Sequence, residues 1–594
     1  RQRQMCIRDS DYWVQEEIKD EAQEKVSDAR KELADKKAEA DQKLADAKKE
    51  IDDAKKKLKD GKTELADKEK ELNDGKKELA EKEWELADAQ QQITDGRTQL
   101  QSAENQLAEK ESEFQKQKAS AEEQISTGEK ELATLNGLYN SDKFEFAVIY
   151  GRRRVGKTAL ISHFIQDKKA IYFMGVESNE KQNLENFSQA IMEYASGIMP
   201  GTSFVSFQAA IEYVFKLCEN ERLVLVIDEY PYVAKASKSM ASTLQMLIDK
   251  NKDNSKMMLI LCGSSMSYME DNVLAYKAPL YGRRTAQMKI LPFDFKDSCK
   301  YFNGFSAEDM ALIYGIVGGT PQYLLQMNDS MSVEDNIKNV FLNPASAIFE
   351  EPENLLKQEV REPAVYNAII TAVATGSSRM SEIATKIGET TSVCSQYMKN
   401  LINLGLIRKE TPYGEKESRK SIYAIADNMF RFWYRFIPDN NSIISRGATE
   451  LAYKRIAPNL SDYMGRIFEE ICMQYLWKLL LDGEAPVEFS NLGRWWGTDP
   501  QERIQTEIDI MGDQDKSTAL FGECKWINEN VDVKVLEKLK KRSRLFRYEN
   551  VHLFLFAKKG FTQGCIEEAG KMGNVSLVTY DQIYDCLLYT SDAA

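Results

Sequence analysis

Histidine is almost missing from this chain: 594 residues hold only His163 and His552. That leaves little room for a histidine-ligated metal or a histidine-based catalytic triad, and His163, inside a helix-forming stretch, reads as a surface or packing residue. The nine cysteines include no C-x-x-C pair. Neither a disulfide framework nor a cysteine zinc site is therefore indicated, and a reducing cytoplasm fits. Positive charge is in deficit as well. A formal net charge of −14 argues against a protein that coats nucleic acid along its whole length, while leaving room for local basic patches. No run of about 18 apolar residues occurs, so no membrane-spanning helix is expected. The chain is too long for one core, and three or four units are expected.

Residues 11–127 have a composition of their own. Apolar residues recur every seven positions, from Leu44, Ile51 and Leu58 to Leu100, Leu107 and Phe114, with Lys, Glu, Asp and Ala between them. Sustained heptads predict a long coiled-coil helix, roughly 105 Å over that stretch at about 1.5 Å per residue. The companion seam is weak, with Ala47, Gly61, Lys68 and Gly75 in it, so the rod needs a partner helix and reads as a spacer or a homo-oligomerisation element. Its D-G-K-x-E-L repeats resemble the extracytoplasmic coiled coils of bacterial permeases and exporters. The chain ends, Arg1–Ser10 and Cys586–Ala594, resemble translated sequencing-adapter read-through and are set aside from fold reasoning. The rod is thus either native or a chimeric fusion.

The chemistry begins at Gly151–Thr158, GRRRVGKT, which follows the apolar run Phe144–Tyr150 and precedes a helix-forming stretch, Ala159–Ile165. This is G-x-x-x-x-G-K-[ST], the Walker A pattern, in the strand–loop–helix setting it requires. Glycines let the backbone curl so that its N–H groups face an anion. Gly151, Arg152, Arg153, Arg154, Val155, Gly156, Lys157 and Thr158 are therefore the expected ATP-binding residues. Lys157 adds a point charge at the β- and γ-phosphates, and Thr158 offers a hydroxyl to Mg²⁺. A second segment, Arg222–Tyr230 (RLVLVIDEY), is a continuous apolar strand ending in two carboxylates. Strands buried on both faces belong to the middle of a parallel sheet, and groups at their carboxyl ends reach the ligand crevice. Asp228 would complete the Mg²⁺ shell, and Glu229 would orient or deprotonate the attacking water.

The segment Gly128–Tyr150 with GRRRVGKT, then LVLVIDEYPYV ending at Val233, LILCGSS (Leu259–Ser265), LYGRRT (Leu280–Thr285) and GGTPQYL (Gly318–Leu324), resembles the prokaryotic, archaeal-type AAA-like ATPases related to the STAND NTPases. The resemblance covers about Gly128 to Asp585. It implies an ATPase, a winged helix and a C-terminal domain of unknown function, whereas a preceding coiled coil departs from the pattern. It also implies a sensor after the LIL strand, with Ser264 as the candidate to touch the γ-phosphate or the water. Arg283 and Arg284 are either an arginine finger, in cis or from a neighbouring subunit, or a surface ion-paired doublet. Gly318–Pro321 is expected to mark the hinge of a helical lid.

Residues 362–437 have the rhythm of a winged helix-turn-helix: helices over Ala364–Ala374, Ser381–Ile387 and Thr391–Leu404, then a strand pair, Leu406–Glu410 and Ser421–Ala426. The third helix exposes Thr391, Ser392, Ser395, Gln396 and Lys399, the wing carries Arg408, Lys409, Lys416, Arg419 and Lys420, and the basic residues among them are candidate contacts to DNA phosphates. Glu410, Glu415 and Glu417 dilute that patch, and protein contact is the alternative. Farther on, Arg503–Gly512 and Ser517–Trp526 read as a hairpin whose alternation sets Asp509 on one strand and Glu523 with Lys525 on the other. The spacing resembles the PD-(D/E)xK nuclease core, with Ile508 where the proline would stand. The helix Asp462–Leu480 would supply Glu469, with Glu470 adjacent, for Mg²⁺. Val533–Arg547 is the most basic segment of this half.

Taken together, the sequence predicts an α/β chain: coiled coil (11–127), P-loop parallel-sheet core (128–290), helical lid (291–361), winged helix (362–437) and nuclease-like α/β domain (438–585). The expected activity is Mg²⁺-dependent ATP hydrolysis in the cytoplasm, as a switch that acts on DNA. The alternatives are an ATP-regulated nuclease and an elongated scaffold.

Overall fold

The computed structural model describes residues 129–195, 203–415 and 420–588. The expected rod, and Lys416 and Arg419 of the expected wing, lie outside the described residues.

Five strands build the first sheet: β1 (Glu145–Gly151), β2 (Ala170–Met174), β3 (Leu223–Asp228), β4 (Met257–Gly263) and β5 (Ala286–Ile290). Their order is β2-β3-β4-β1-β5, and every pairing is parallel. Each residue of β1, β3 and β4 is buried, which is why these strands read as unbroken apolar runs. The edge strands β2 and β5 are only partly covered. Along β1, Ala147 and Ile149 join one hydrophobic layer with Leu160, Ile161 and Phe164 of helix α1 (Lys157–Ile165). Phe146 and Val148 point the other way, to Ile211, Val214 and Phe215. Because β4 lies between β1 and β3, the carboxyl ends of all three stand side by side. Tyr150 pairs with Gly263, and Ile227 with Leu261.

After the core come α2 (Glu351–Glu359), α3 (Pro363–Ala374), α4 (Met380–Ile387) and α5 (Thr391–Asn403), then an antiparallel pair, β6 (Ile407–Glu410) and β7 (Ile422–Ile425). Helix α6 (Asn428–Phe436) has the sequence NMFRFWYRF, and every residue except its two arginines is buried. Asp427 caps it by accepting from Phe430 N at 2.9 Å. Helix α7 (Leu460–Asp482) ends at Gly483, whose φ of 78° supplies the left-handed turn that closes a helix.

The second sheet runs β12-β11-β10-β9-β8. Its strands are β8 (Gly493–Thr498), β9 (Gln505–Asp513), β10 (Thr518–Lys525), β11 (Asn550–Ala557) and β12 (Val575–Thr579). β8, β9 and β10 form an antiparallel meander. Helix α8 (Val533–Ser543) then crosses over, so that β11 joins β10 in parallel. α8 stops at Ser543, short of the expected Arg547. A last helix, α9 (Tyr580–Leu588), buries Leu587, so the fold includes residues beyond Asp585 that were set aside on sequence. Tyr580 ties the two halves of the chain: its hydroxyl donates to Ala307 O at 2.5 Å and its ring lies 5.1 Å from Trp526. Among the described residues no helix is long and apolar enough to cross a membrane.

The segment expected to hinge a lid, Gly318–Pro321, is a point of close backbone approach. Phe293 N donates to Gly319 O at 2.8 Å, and a Cβ on Gly319 would stand 1.9 Å from Phe293 O.

Candidate functional site

The phosphate loop starts where β1 ends. Arg154 and Gly156 take left-handed φ values of 71° and 96°, and the chain curls through them before Lys157 opens α1. Lys157 is buried and its Nζ donates to Arg152 O at 2.9 Å. Thr158 Oγ1 donates to Asp228 Oδ2 at 2.8 Å, and Glu229 N donates to Asp228 Oδ1 at 2.8 Å. Glu229 itself sits at φ 49°, ψ 42°, a sparsely populated conformation for a non-glycine residue and one found where surrounding structure holds a functional side chain in place. Its Oε2 accepts from Ser264 Oγ at 2.9 Å. Lys157, Thr158, Asp228, Glu229 and Ser264 therefore meet at the carboxyl ends of three adjacent strands. One member was missed: Tyr172 on the edge strand β2 donates to Asp228 Oδ2 at 2.6 Å. Nothing in AIYFM marks it, because its role depends on β2 lying beside β3.

Arg283 and Arg284 do not join this group. Thr285 N bonds Phe146 O, at the start of β1, about 16 Å of strand away from Gly151. Arg283 forks onto Asp249 at 2.8 and 2.6 Å, and Arg284 lies over the Tyr281 ring. The in-cis arginine finger is corrected on this ground: β5 runs parallel to β1, so residues preceding β5 emerge at the wrong end of the sheet.

The loop's own arginines each meet a carboxylate from far along the chain. Arg152 is buried, bonded to Asp427 Oδ2 at 2.5 Å and Thr320 Oγ1 at 3.0 Å. Arg153 pairs with Glu359 at 2.7 Å, and Arg154 pairs with the buried Glu351. Burial holds the Glu351 carboxyl above its ordinary range, against the opposing pull of Arg154 and the Tyr323 hydroxyl.

A second charged cluster lies between β9, β10 and α7. The β9–β10 register pairs Gly522 with Ile510, so one step further sets Glu523 opposite Asp509. Glu523 accepts from Lys525 and from Arg542, both at 2.8 Å. Asp509 Oδ2 accepts from Cys524 N at 2.9 Å. Burial, then Glu523, pushes the Asp509 carboxyl up to about 6. Burial likewise pushes Glu469 to about 7, with Arg494 and Arg466 opposing and Asp509 adding to the shift. Glu470 differs: despite burial, Arg408 and Arg431 hold it down to about 2. Of the two adjacent glutamates, Glu469 is the one that feels Asp509. Among the described residues no three His, Cys, Asp or Glu side chains form a group able to hold a metal ion.

Arg408 is turned inward, to Glu410 at 2.7 Å and to Glu470, beside a cavity of about 220 Å³ lined also by Arg466, Glu469, Arg494 and Trp496. It is not presented to a phosphate backbone as expected from the sequence. Thr391, Ser392, Ser395, Gln396 and Lys399 are all exposed.

Residues 128–327 match an ATPase domain found predominantly in Archaea, and residues 433–538 match a family of archaeal and bacterial proteins of unknown function. An uncharacterized protein of Methanocaldococcus jannaschii is 34% identical over 416 residues, which cover 69% of this chain and 90% of the relative. Similar solved structures include a Walker-type ATPase of Pyrococcus abyssi (17% identical, 51% of this chain and 94% of that one, TM-score 0.41). Another is the ORC2 protein of Aeropyrum pernix (16% identical, 54% and 94%, TM-score 0.35). With a domain match that takes in both the phosphate loop and the Asp228–Glu229 strand and a relative matched over nine-tenths of its length, the chain belongs to the family of proteins that carry this predominantly archaeal ATPase domain.

Proposed function

We propose that the chain is a Mg²⁺-dependent ATP hydrolase working as a switch, with the exposed polar face of α5 as its candidate contact to DNA. One observation carries the hydrolytic part: the bonded pairs Thr158–Asp228 and Ser264–Glu229 lie side by side at the phosphate loop. The loop's N–H groups would cradle the phosphates, and Lys157 would leave the Arg152 carbonyl to reach the β- and γ-oxygens. Two oxygen donors, on Thr158 and Asp228, suit Mg²⁺, which keeps waters and phosphate oxygens in its shell. When bound it offsets charge on those oxygens. Glu229 would orient and deprotonate the water, and the Ser264 hydroxyl fixes which way that carboxylate points. The free cysteines, buried or half-buried throughout the described residues, support a reducing, cytoplasmic setting.

In this reading residues 128–290 are the ATPase core, 291–361 the helical lid, and 362–437 a winged helix, supported by the α3-α4-α5-β6-β7 order and the exposed polar face of α5. Residues 438–585 form a nuclease-like domain, supported by a meander, a crossover helix and a parallel strand in that order. A second reading, an ATP-regulated nuclease, is favoured by Asp509, Glu523 and Lys525 lying on neighbouring strands. As arranged, these residues with Glu469 do not fit a metal, because Lys525 and Arg542 both close on Glu523 and two arginines close on Glu469.

One experiment tests both readings: ATP turnover and DNA cleavage in Mg²⁺ by the full chain and its variants. Glu229→Gln should keep ATP binding and lose turnover by about 100-fold or more, while Lys157→Ala should lose binding as well. Turnover unchanged in Lys157→Ala would sink the ATPase. Cleavage abolished by Lys525→Ala would establish the nuclease, and no cleavage by the intact chain would remove it.

A further inference from the structure

Two of the three loop arginines are fixed by the fold. Arg152 is buried against Asp427 and Thr320, and Arg154 is held by a carboxylate that is 2% exposed. Arg153 is different. Its carboxylate partner Glu359 is 13% exposed, against 2% for the Glu351 of Arg154 and 4% for the Asp427 of Arg152. Nε faces Glu359 Oε1 at 2.7 Å, one terminal nitrogen donates to Gln358 Oε1 at 2.9 Å, and the other to the Tyr232 hydroxyl at 2.7 Å.

These partners come from two sides of the loop, Tyr232 from beside Glu229 and Gln358 with Glu359 from the end of α2. Tyr232 lies on the turn that follows Glu229, and Tyr232 N bonds Glu229 O. Burial holds the Glu359 carboxyl above its ordinary range; Arg153 opposes that shift, Glu229 adds to it and Lys157 opposes it. Glu359 is tied through Arg153 to the loop four residues before Lys157, and Arg153 is tied through Tyr232 to the helix that Glu229 opens. Glu359 is also the last residue of α2, so the C-terminal half of the chain reaches this site through it.

We propose that Arg153 is the catalytic arginine of ATP hydrolysis, acting in cis from the phosphate loop, and that Glu359 holds it off the reacting group until nucleotide binds. The proposal rests on the hydrolytic reading above. All three nitrogens of the Arg153 guanidinium are already engaged, by Glu359, Gln358 and the Tyr232 hydroxyl, so a γ-phosphoryl group beside Lys157 competes with these partners, Glu359 first, for the fork. In the step itself the water oxygen bonds to Pγ, the bond from Pγ to the ADP oxygen breaks, and the water proton passes to Glu229. Arg153 meets the negative charge on the transferring group, and ADP and inorganic phosphate leave. A lysine at the same position would keep the charge but not the fork.

The test uses the full chain with Arg153→Ala, Arg153→Lys and Glu359→Gln, and with Lys157→Ala as the loop control. ADP and ATP affinities, steady-state turnover and capture of Mg·ADP by aluminium fluoride are measured together, and circular dichroism verifies folding. Arg153→Ala should bind ADP within about threefold of the parent protein yet lose turnover by about 100-fold or more and lose aluminium fluoride capture. Arg153→Lys should lose capture too, and Glu359→Gln should raise basal turnover severalfold. Arg153→Ala that turns over or captures within about threefold of the parent overturns the proposal, as does a loss of ADP affinity that accounts for its whole effect. If the parent protein binds ATP in a Lys157-dependent way but neither turns it over nor captures aluminium fluoride, the hydrolytic reading falls and takes this one with it.

Discussion

Asp294 carries a charge that the fold opposes. Its side chain caps the helix Phe295–Cys299, accepting from Asp297 N at 2.8 Å. Burial, and then the Asp297 carboxylate, push its carboxyl up to about 7; the Asp297 N–H, Lys300 and Lys296 only partly offset this. The folded state therefore keeps a proton that the unfolded chain has already released above its ordinary value of 3.8. Stability contributed here is present at low pH and lost as pH rises from about 4 toward 7. Asparagine caps a helix as well as aspartate but cannot ionise. Asp294→Asn should accordingly melt close to the parent protein at pH 4.5 and above it at pH 7.5, by on the order of 1–2 kcal/mol. Melting curves at the two pH values decide this, and a gap that stays constant or closes with rising pH would count against it.

At the scale of elements, glycines show where backbones touch. A Cβ on Gly319 would meet Phe293 O at 1.9 Å, with no flexible side chain to yield, and the next residue, Thr320, accepts from Arg152 of the phosphate loop. Gly319→Ala should therefore cost about 3 kcal/mol or more and weaken nucleotide binding. Gly465, inside α7 with open space around it, should gain about 0.5–1 kcal/mol from the same change. Equal melting shifts for the two variants would show that the close approach does not matter. Elements were also where the sequence was most readable. β1, β3 and β4 announced themselves as apolar runs because both faces of a central parallel strand are buried, and such strands deliver Lys157, Asp228 and Ser264 to one edge. Strand direction left no such mark, so LYGRRT read as a possible finger although β5 carries it to the opposite edge. Arg408 read as a phosphate contact because Glu470, its partner 62 residues on, is brought to it only by packing.

Across the whole molecule, Arg152, Arg153 and Arg154 are three identical residues whose fates are set by Asp427, Glu359 and Glu351, more than 190 positions away, so no local pattern could tell them apart. The Arg152–Asp427 contact is the deepest of these links, since Asp427 also caps α6, on which the C-terminal half is packed. Asp427→Asn keeps the cap and removes only the countercharge. It leaves a buried guanidinium unpaired and should cost about 3 kcal/mol. Asp427→Ala loses the cap too and should cost about 1 kcal/mol more. If the cost comes from the unpaired charge, Arg152→Met in the Asp427→Asn background should recover most of it, since replacing a buried pair on both sides is often close to neutral. ATP should also restore the melting temperature of Asp427→Asn more than that of the parent, because phosphate anions become the nearest countercharge for the released arginine. Losses that simply add in the double variant, with no extra rescue by ATP, would mean that the Arg152–Asp427 charge pair does not couple the phosphate loop to the C-terminal half.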